Sequence, residues 1–199
     1  MQTVIGITGG TGCGKTTSLA ALKELGYRII DCDALYHRML ETDASMLHAI
    51  ETVFPAVFSQ GRLQRKALGQ KVFSDPLALE RLNHTVWPHI VRAVRQQIKD
   101  CFPQPCAIDA VGLMESGLGA LCTQTVAITA PEEIRVARLM AREGISEEYA
   151  RLRIAAQKKN DVFAAQCGVT IENSFPSAAQ FQAHCKKVFA NFGKEHVLL

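Results

Sequence analysis

The chain predicts an α/β fold, a five-stranded parallel sheet covered by helices on both faces. Two observations carry this. Five short runs rich in Ile or Val alternate with longer helix-prone stretches, and strands apolar on both faces are strands buried between helix layers. The glycine-rich segment Gly9-Gly10-Thr11-Gly12-Cys13-Gly14-Lys15-Thr16 lies between the first apolar run and the first helical one. That strand–loop–helix order is the context a phosphate-binding loop requires.

The elements follow in order. Strands are expected at 3–8, 28–32, 106–110, 125–130 and 169–172, joined by right-handed crossovers. A helix over 17–25 follows the glycine-rich loop. The stretch 34–100 is too long for a plain crossover and holds several helices, so it reads as an inserted substrate-binding region. Within it, Asp75-Pro76 is a cap followed by a first-turn proline, opening a helix through Leu82 toward Trp87 that Pro88 then kinks or restarts. Pro131-Glu132-Glu133 opens a helix with acids in its first turn, running to Arg142 and stopping near Gly144. Ser146-Glu147-Glu148 opens another, running to about Lys159.

Composition narrows the function classes. With 199 residues, 48% hydrophobic and 21% charged, the chain reads as one domain with an ordinary core. No signal peptide is read at its start, and no run approaches the roughly 18 apolar residues of a membrane span. Seven cysteines at irregular spacing, none in a CxxC pair, read as reduced thiols in a cytoplasmic protein. Cys13, at a helix start beside Lys15, reads as a small loop residue, with a reactive thiol the second reading. A net charge of +3 is too small to predict nucleic acid as a partner. The six histidines show no metal-ligand spacing.

The loop carries the chemistry. Glycines let its backbone close around a polyphosphate, unpaired N–H groups and the helix dipole face the anion, Lys15 reaches the β- and γ-phosphates, and the Thr16 hydroxyl ligates Mg²⁺. Asp31 and Asp33 stand where a parallel strand ends, the edge at which such sheets bind ligands. Asp33 is there a base or metal-side acid, or else the cap of a helix starting at Ala34. Asp109 ends another apolar strand, with Glu115 on the same loop, in the manner of an acid near Mg²⁺. Between positions 135 and 159 stand seven basic residues and three acids. Arg135, Arg138 and Arg142 share one helix face there, either a solvated face or, as favoured beside a phosphate loop, the cations of a closing lid.

Several collinear segments between residues 3 and 173 together resemble the dephospho-coenzyme A kinase family. They are Gly6-Ile7-Thr8-Gly9-Gly10 with Gly14-Lys15-Thr16, Ile30-Asp31-Cys32-Asp33 with His37, Leu63-Gln64-Arg65 with Leu68-Gly69, Leu82-Asn83 with Pro88, Asp109-Ala110 with Leu113-Met114-Glu115, Arg138-Leu139-Met140-Ala141-Arg142 with Gln157, and Ile171-Glu172-Asn173. The resemblance implies an adenylate-kinase-like core of the P-loop NTPase class, with core segments 1–33 and 104–199, an acceptor-binding region at 34–103 and an Arg-rich lid at 135–160. It implies transfer of the ATP γ-phosphoryl to the ribose 3′-hydroxyl of dephospho-coenzyme A, with Mg²⁺.

By the same resemblance Asp33 is the base, with Lys15 and Arg142 beside it as catalytic cations. Gly10, Thr11, Gly12, Cys13, Gly14, Lys15, Thr16, Thr17, Arg138 and Asn173 contact the nucleotide, Asn173 from the loop approaching adenine. Asp33, His37, Arg65, Asp109 and Glu115 contact the acceptor, and Thr16 the metal. A monomer without nucleic-acid or membrane partners is expected. The chain departs from the family at Trp87-Pro88, where His-Pro is usual, at Val111-Gly112 after Asp109, and at Cys167-Gly168 before the last strand. The first two fall in the acceptor region. Rival readings are a kinase for another small acceptor and a nucleotide-binding protein without transfer; the guanine-recognition pattern Asn-Lys-x-Asp is absent.

Overall fold

The structure, a computed structural model, describes residues 2–192; the expected span of 1–199 therefore reaches beyond the described residues at both ends. The chain divides into two compact units, Met1–Asp31 with Ile98–Leu199, and Cys32–Gln97.

The first unit holds a parallel sheet of β1 (Val4–Thr8), β2 (Arg28–Asp31), β5 (Cys106–Asp109), β6 (Gln124–Thr129) and β7 (Val169–Glu172), in the order β2-β5-β1-β6-β7. β1 is the central strand, with Ile5 opposite Ala107 on one side and Gln124 on the other. The chain leaves β1 for β2 on one flank and later returns to β6 on the other, so the end of β1 is the switch point where α/β sheets bind ligands. All five strands stand within two residues of their expected places. The second ends at Asp31 rather than 32, because Cys32 already begins a helix.

Both faces of β1 are covered, as its unbroken apolar sequence requires. On one face Ile5 and Ile7 pack with Leu22 of α1 (Lys15–Glu24) and with Phe181, Cys185 and Phe189 of α9 (Ala178–Phe189). On the other, the backbone at Gly6 lies so close to the Leu113 and Cys122 side chains that a Cβ would come within 2.7 Å of each. A second cluster joins α6 (Glu132–Glu143) to α7 (Glu147–Ala155) through Val136, Leu139, Ala150 and Ile154. α7 does not run on to Lys159: it stops at Ala155, and a short connector leads into α8 (Asn160–Gln166).

The second unit is helical, with α2 (Cys32–Thr42), α3 (Ala44–Val53), α4 (Arg65–Ser74) and most of α5 (Pro76–Asp100). A hairpin of β3 (Phe58–Ser59) and β4 (Arg62–Leu63) lies among them, turned by Gln60 and Gly61, both at positive φ. Two-residue strands carry no periodicity, so sequence reading passes over them. α5 runs unbroken through Pro88, where a kink or restart was expected. Its buried residues Ala78, Leu82, Val86, Ile90 and Val94 recur every fourth position on both sides of the proline, while Pro88 and His84 are exposed. The His84 carbonyl that loses its helical partner to Pro88 therefore faces water, where the loss costs least. No helix among the described residues is long and apolar enough to cross a membrane.

Candidate active site

The glycine-rich loop joins the end of β1 to α1 at the switch point. Gly9 has φ 142°, and a Cβ there would stand 2.2 Å from the Ile128 carbonyl oxygen of β6. Gly14 precedes α1 at φ 102°, with the Asn173 amide 2.3 Å from where a Cβ would be. Both positions demand glycine, by backbone conformation and by space. The Thr17 and Ser18 N–H groups donate back to Gly14 O at 3.0 and 3.1 Å, leaving those of Lys15 and Thr16 ahead of the helical ladder, at the positive pole of the dipole. Lys15 Nζ donates to Gly9 O at 3.0 Å, which holds the ammonium across the loop.

Three successive loop carbonyls are held by side chains from other elements. Arg135 Nε donates to Thr11 O at 2.8 Å, Arg138 Nη1 to Gly12 O at 3.3 Å, and Asn173 Nδ2 to Cys13 O at 2.9 Å. In a trans peptide the next N–H points opposite to the carbonyl. Anchoring these carbonyls outward therefore turns the N–H groups of Gly12, Cys13 and Gly14 toward the inside of the loop, as an anion nest requires. The Cys13 N–H there makes only a long turn contact with Gly10 O, at 3.4 Å.

The basic face of α6 divides. Arg135 is 3% exposed; besides Thr11 O its guanidinium reaches Asn160 Oδ1 and Gln157 Oε1, each at 3.4 Å. Burial pulls its pKa down, and nearby Cys13 and Glu132 oppose this. Arg138 binds Asn173 Oδ1 at 3.0 Å, and burial lowers its pKa as well. Arg142 instead lies at the surface, ion-paired with Glu143, which also binds Arg153. The shared face predicted for the three arginines thus supplies two loop anchors and one surface cation.

Asn173 follows β7 and donates its own N–H to Thr129 O at 2.7 Å. With Gly14, Thr17, Arg138, Phe175 and Pro176 it lines a cleft of about 620 Å³, within the usual range for small-molecule sites. Apolar Ile134, Phe175 and Pro176 share its lining with the Arg138–Asn173 pair. Cys13 lies beneath the loop, 1% exposed. Burial pushes its thiol above the ordinary value despite Lys15 and Arg135 nearby, which fits the favoured reading of a small loop residue over the second one of a reactive thiol: the helix start and the cation are present, but the sulfur is buried.

At the same sheet edge Asp31 and Asp109 end neighbouring strands in register. Thr16 is exposed in the first turn of α1. Hydroxyl and carboxylate oxygens are the hard donors that Mg²⁺ takes, although no cluster of three or more His, Cys, Asp or Glu is present among the described residues. Glu115 is ion-paired with Lys158.

The remaining expected residues belong to the helical unit. Asp33 is exposed in the first turn of α2. It is not the cap of a helix starting at Ala34, since the helix has already begun at Cys32. His37 and Glu41 follow at one-turn spacing on the same face, and Arg65 of α4 donates to the His37 carbonyl at 3.1 Å and to Glu41 at 2.9 Å. Arg65 thus ties α4 to the face that carries Asp33.

Residue-level reading missed the roles of Arg135, Gln157 and Asn160. Gln157 Oε1 accepts from the Thr11 N–H at 2.7 Å, and Asn160 Nδ2 donates to Ala130 O at 2.8 Å. The available signal was a polar residue within a short inter-helix connector and another opening the next helix, too weak to interpret without the contact.

A family model described as dephospho-CoA kinase matches residues 3–178. A dephospho-CoA kinase of Anaeromyxobacter dehalogenans is 38% identical over 176 residues, 86% of this chain and 83% of that protein. The solved dephospho-CoA kinase of Campylobacter jejuni is 26% identical, with a TM-score of 0.69 over 99% of this chain and 100% of that one. Shikimate kinase from Bacteroides thetaiotaomicron, 16% identical with a TM-score of 0.57 over 96% of this chain and 98% of that one, shares the fold.

Proposed function

Because this chain belongs to the dephospho-CoA kinase family, we propose a division of labour among its residues for the reaction the family performs. The chain is a phosphotransferase that uses ATP to phosphorylate dephospho-CoA. The observation that carries this is the family match across residues 3–178, with the phosphate loop intact.

The acceptor oxygen is the ribose 3′-hydroxyl. A new bond forms from that oxygen to the γ-phosphorus, the bond from the γ-phosphorus to the β–γ bridging oxygen breaks, and the hydroxyl proton passes to the Asp33 carboxylate. Because the transition state is loose, positioning and charge neutralisation supply most of the catalysis. Asp33 mainly orients the hydroxyl and takes its proton late, as befits a weak base. The N–H groups of Gly12, Cys13 and Gly14, with Lys15, hold the β- and γ-phosphates, and the cleft beside Arg138 and Asn173 takes the adenine. Arg142 exchanges its surface partner Glu143 for the transferring group; an exposed ion pair is cheap to break.

Thr16, with Asp31 and Asp109 through water, would hold Mg²⁺, which when bound neutralises phosphate charge. His37, Arg65, Asp109 and Glu115 serve the acceptor, with 34–103 as the acceptor-binding region and 135–160 as the lid. We read the protein as a cytoplasmic monomer, supported by its pattern of reduced thiols, its small net charge and the lack of a membrane-length apolar run.

A coupled ADP-release assay tests the reading. Dephospho-CoA should stimulate ADP release while shikimate and nucleosides do not; stimulation by another acceptor and none by dephospho-CoA would sink it. Asp33→Asn should lose transfer by more than about tenfold while binding ATP normally, and retention of transfer would remove Asp33 as the base.

A further inference from the structure

The contacts described above hold the loop's carbonyls. One holds an N–H: the Thr11 amide donates to Gln157 Oε1 at 2.7 Å. This peptide unit carries the Gly10 carbonyl on its opposite side, and that carbonyl is the acceptor of the 3.4 Å turn contact from Cys13 N–H. Gln157 therefore grips, from outside, the peptide that closes the loop's turn. The grip falls where the backbone is softest, because Gly10 and Gly12 flank Thr11 and neither has a Cβ to restrict it.

Gln157 is itself held in place. Arg135 Nη2 stands 3.4 Å from its carboxamide oxygen while Arg135 Nε binds Thr11 O at 2.8 Å, so the N–H and C=O of Thr11 are both fixed by side chains that touch each other. The connector carrying Gln157 is anchored just beyond it, by Lys158 paired with Glu115 and by Asn160 bonded to Ala130 O at 2.8 Å.

We propose that Gln157 is a positioning residue for the phosphate-binding loop, its carboxamide oxygen fixing the Gly10–Thr11 peptide so that the loop keeps the width a triphosphate needs. Gln157 acts through Thr11 and touches no reacting atom. The proposal rests on the reading that this loop binds ATP. It also gives the segment between α7 and α8 a task on the donor side of the reaction, beyond that of a covering lid.

The test compares Gln157→Met, which keeps length and loses the acceptor, with Gln157→Glu, which keeps an acceptor oxygen. ATP binding by the full chain is titrated without acceptor, KM is measured for ATP and for dephospho-CoA, and thermal midpoints are recorded. Gln157→Met should weaken ATP binding about tenfold, the value of one hydrogen bond to a fixed amide. Its KM for dephospho-CoA and its thermal midpoint should stay close to those of the parent, and Gln157→Glu should recover most of the ATP binding. Unchanged ATP binding in Gln157→Met, equal loss in both variants, or a joint rise of both KM values with a fallen midpoint would each overturn the proposal. Since ATP is titrated without acceptor, a parent chain that binds ATP but leaves dephospho-CoA untouched would overturn the functional reading and not this one.

Discussion

At the scale of single residues, Arg135 and Arg142 show how one sequence signal covers two physical situations. Both lie on one face of α6 and both are cations. Arg135 is sealed against Thr11, Gln157 and Asn160 at 3% exposure, whereas Arg142 pairs at the surface with Glu143. Arg135→Met should lower stability by roughly 2–4 kcal/mol, because it leaves buried acceptors without their donor. In a chain of this size that is a fall in thermal midpoint of about 5–15 °C. Arg142→Met should leave the midpoint near the parent's, since exposed pairs contribute little. Thermal melts of the two variants check both. Helical spacing placed these arginines correctly on a common stripe; which of them is buried depended on the loop that packs against the stripe, and periodicity carries no information about that.

At the scale of elements, local chemistry was legible wherever a cap or a strand edge enforced it. Asp75 caps α5 as expected, its Oδ1 accepting from the Leu77 and Ala78 N–H groups at 2.9 and 3.2 Å. Asp75→Ala should destabilise the chain by about 1 kcal/mol, seen as a lower urea midpoint with unchanged slope, while Asp75→Ser should retain most of the stability. The element errors share a cause. Pro88 was expected to kink or restart the helix because local propensity opposes it, yet a stripe of five buried residues carries α5 through. The helix expected to reach Lys159 stops at Ala155, and the connector so freed places Gln157 on the loop. In each case tertiary contacts outweighed a local preference of a few kcal/mol at most.

At the scale of the whole molecule, the cysteines behave as small apolar residues. Burial pushes the thiols of Cys106, Cys122 and Cys185 up to about 12, while in the unfolded chain they lose their protons near pH ~8.5. Between those values the unfolded state binds fewer protons than the folded one, so stability falls as pH rises. The contribution is complete below pH ~8.5 and is lost as pH climbs toward 12. Urea midpoints should therefore decline from pH 8 to pH 10, and Cys185→Val, which removes one buried thiol from the main core, should flatten that decline.

The sequence by itself determined the strand–loop–helix that binds phosphate, the five parallel strands and the acids at their ends. Each of these is written in neighbouring residues, as a glycine where a Cβ would collide or as an apolar run that must be covered. Only the tertiary structure decided how the loop is held open. Its carbonyls are gripped by Arg135, Arg138 and Asn173 and its Thr11 amide by Gln157, residues 124 to 160 positions away from their partners. A hydrogen bond across such a separation depends on distance in space, and it is the folded sheet that brings these segments together.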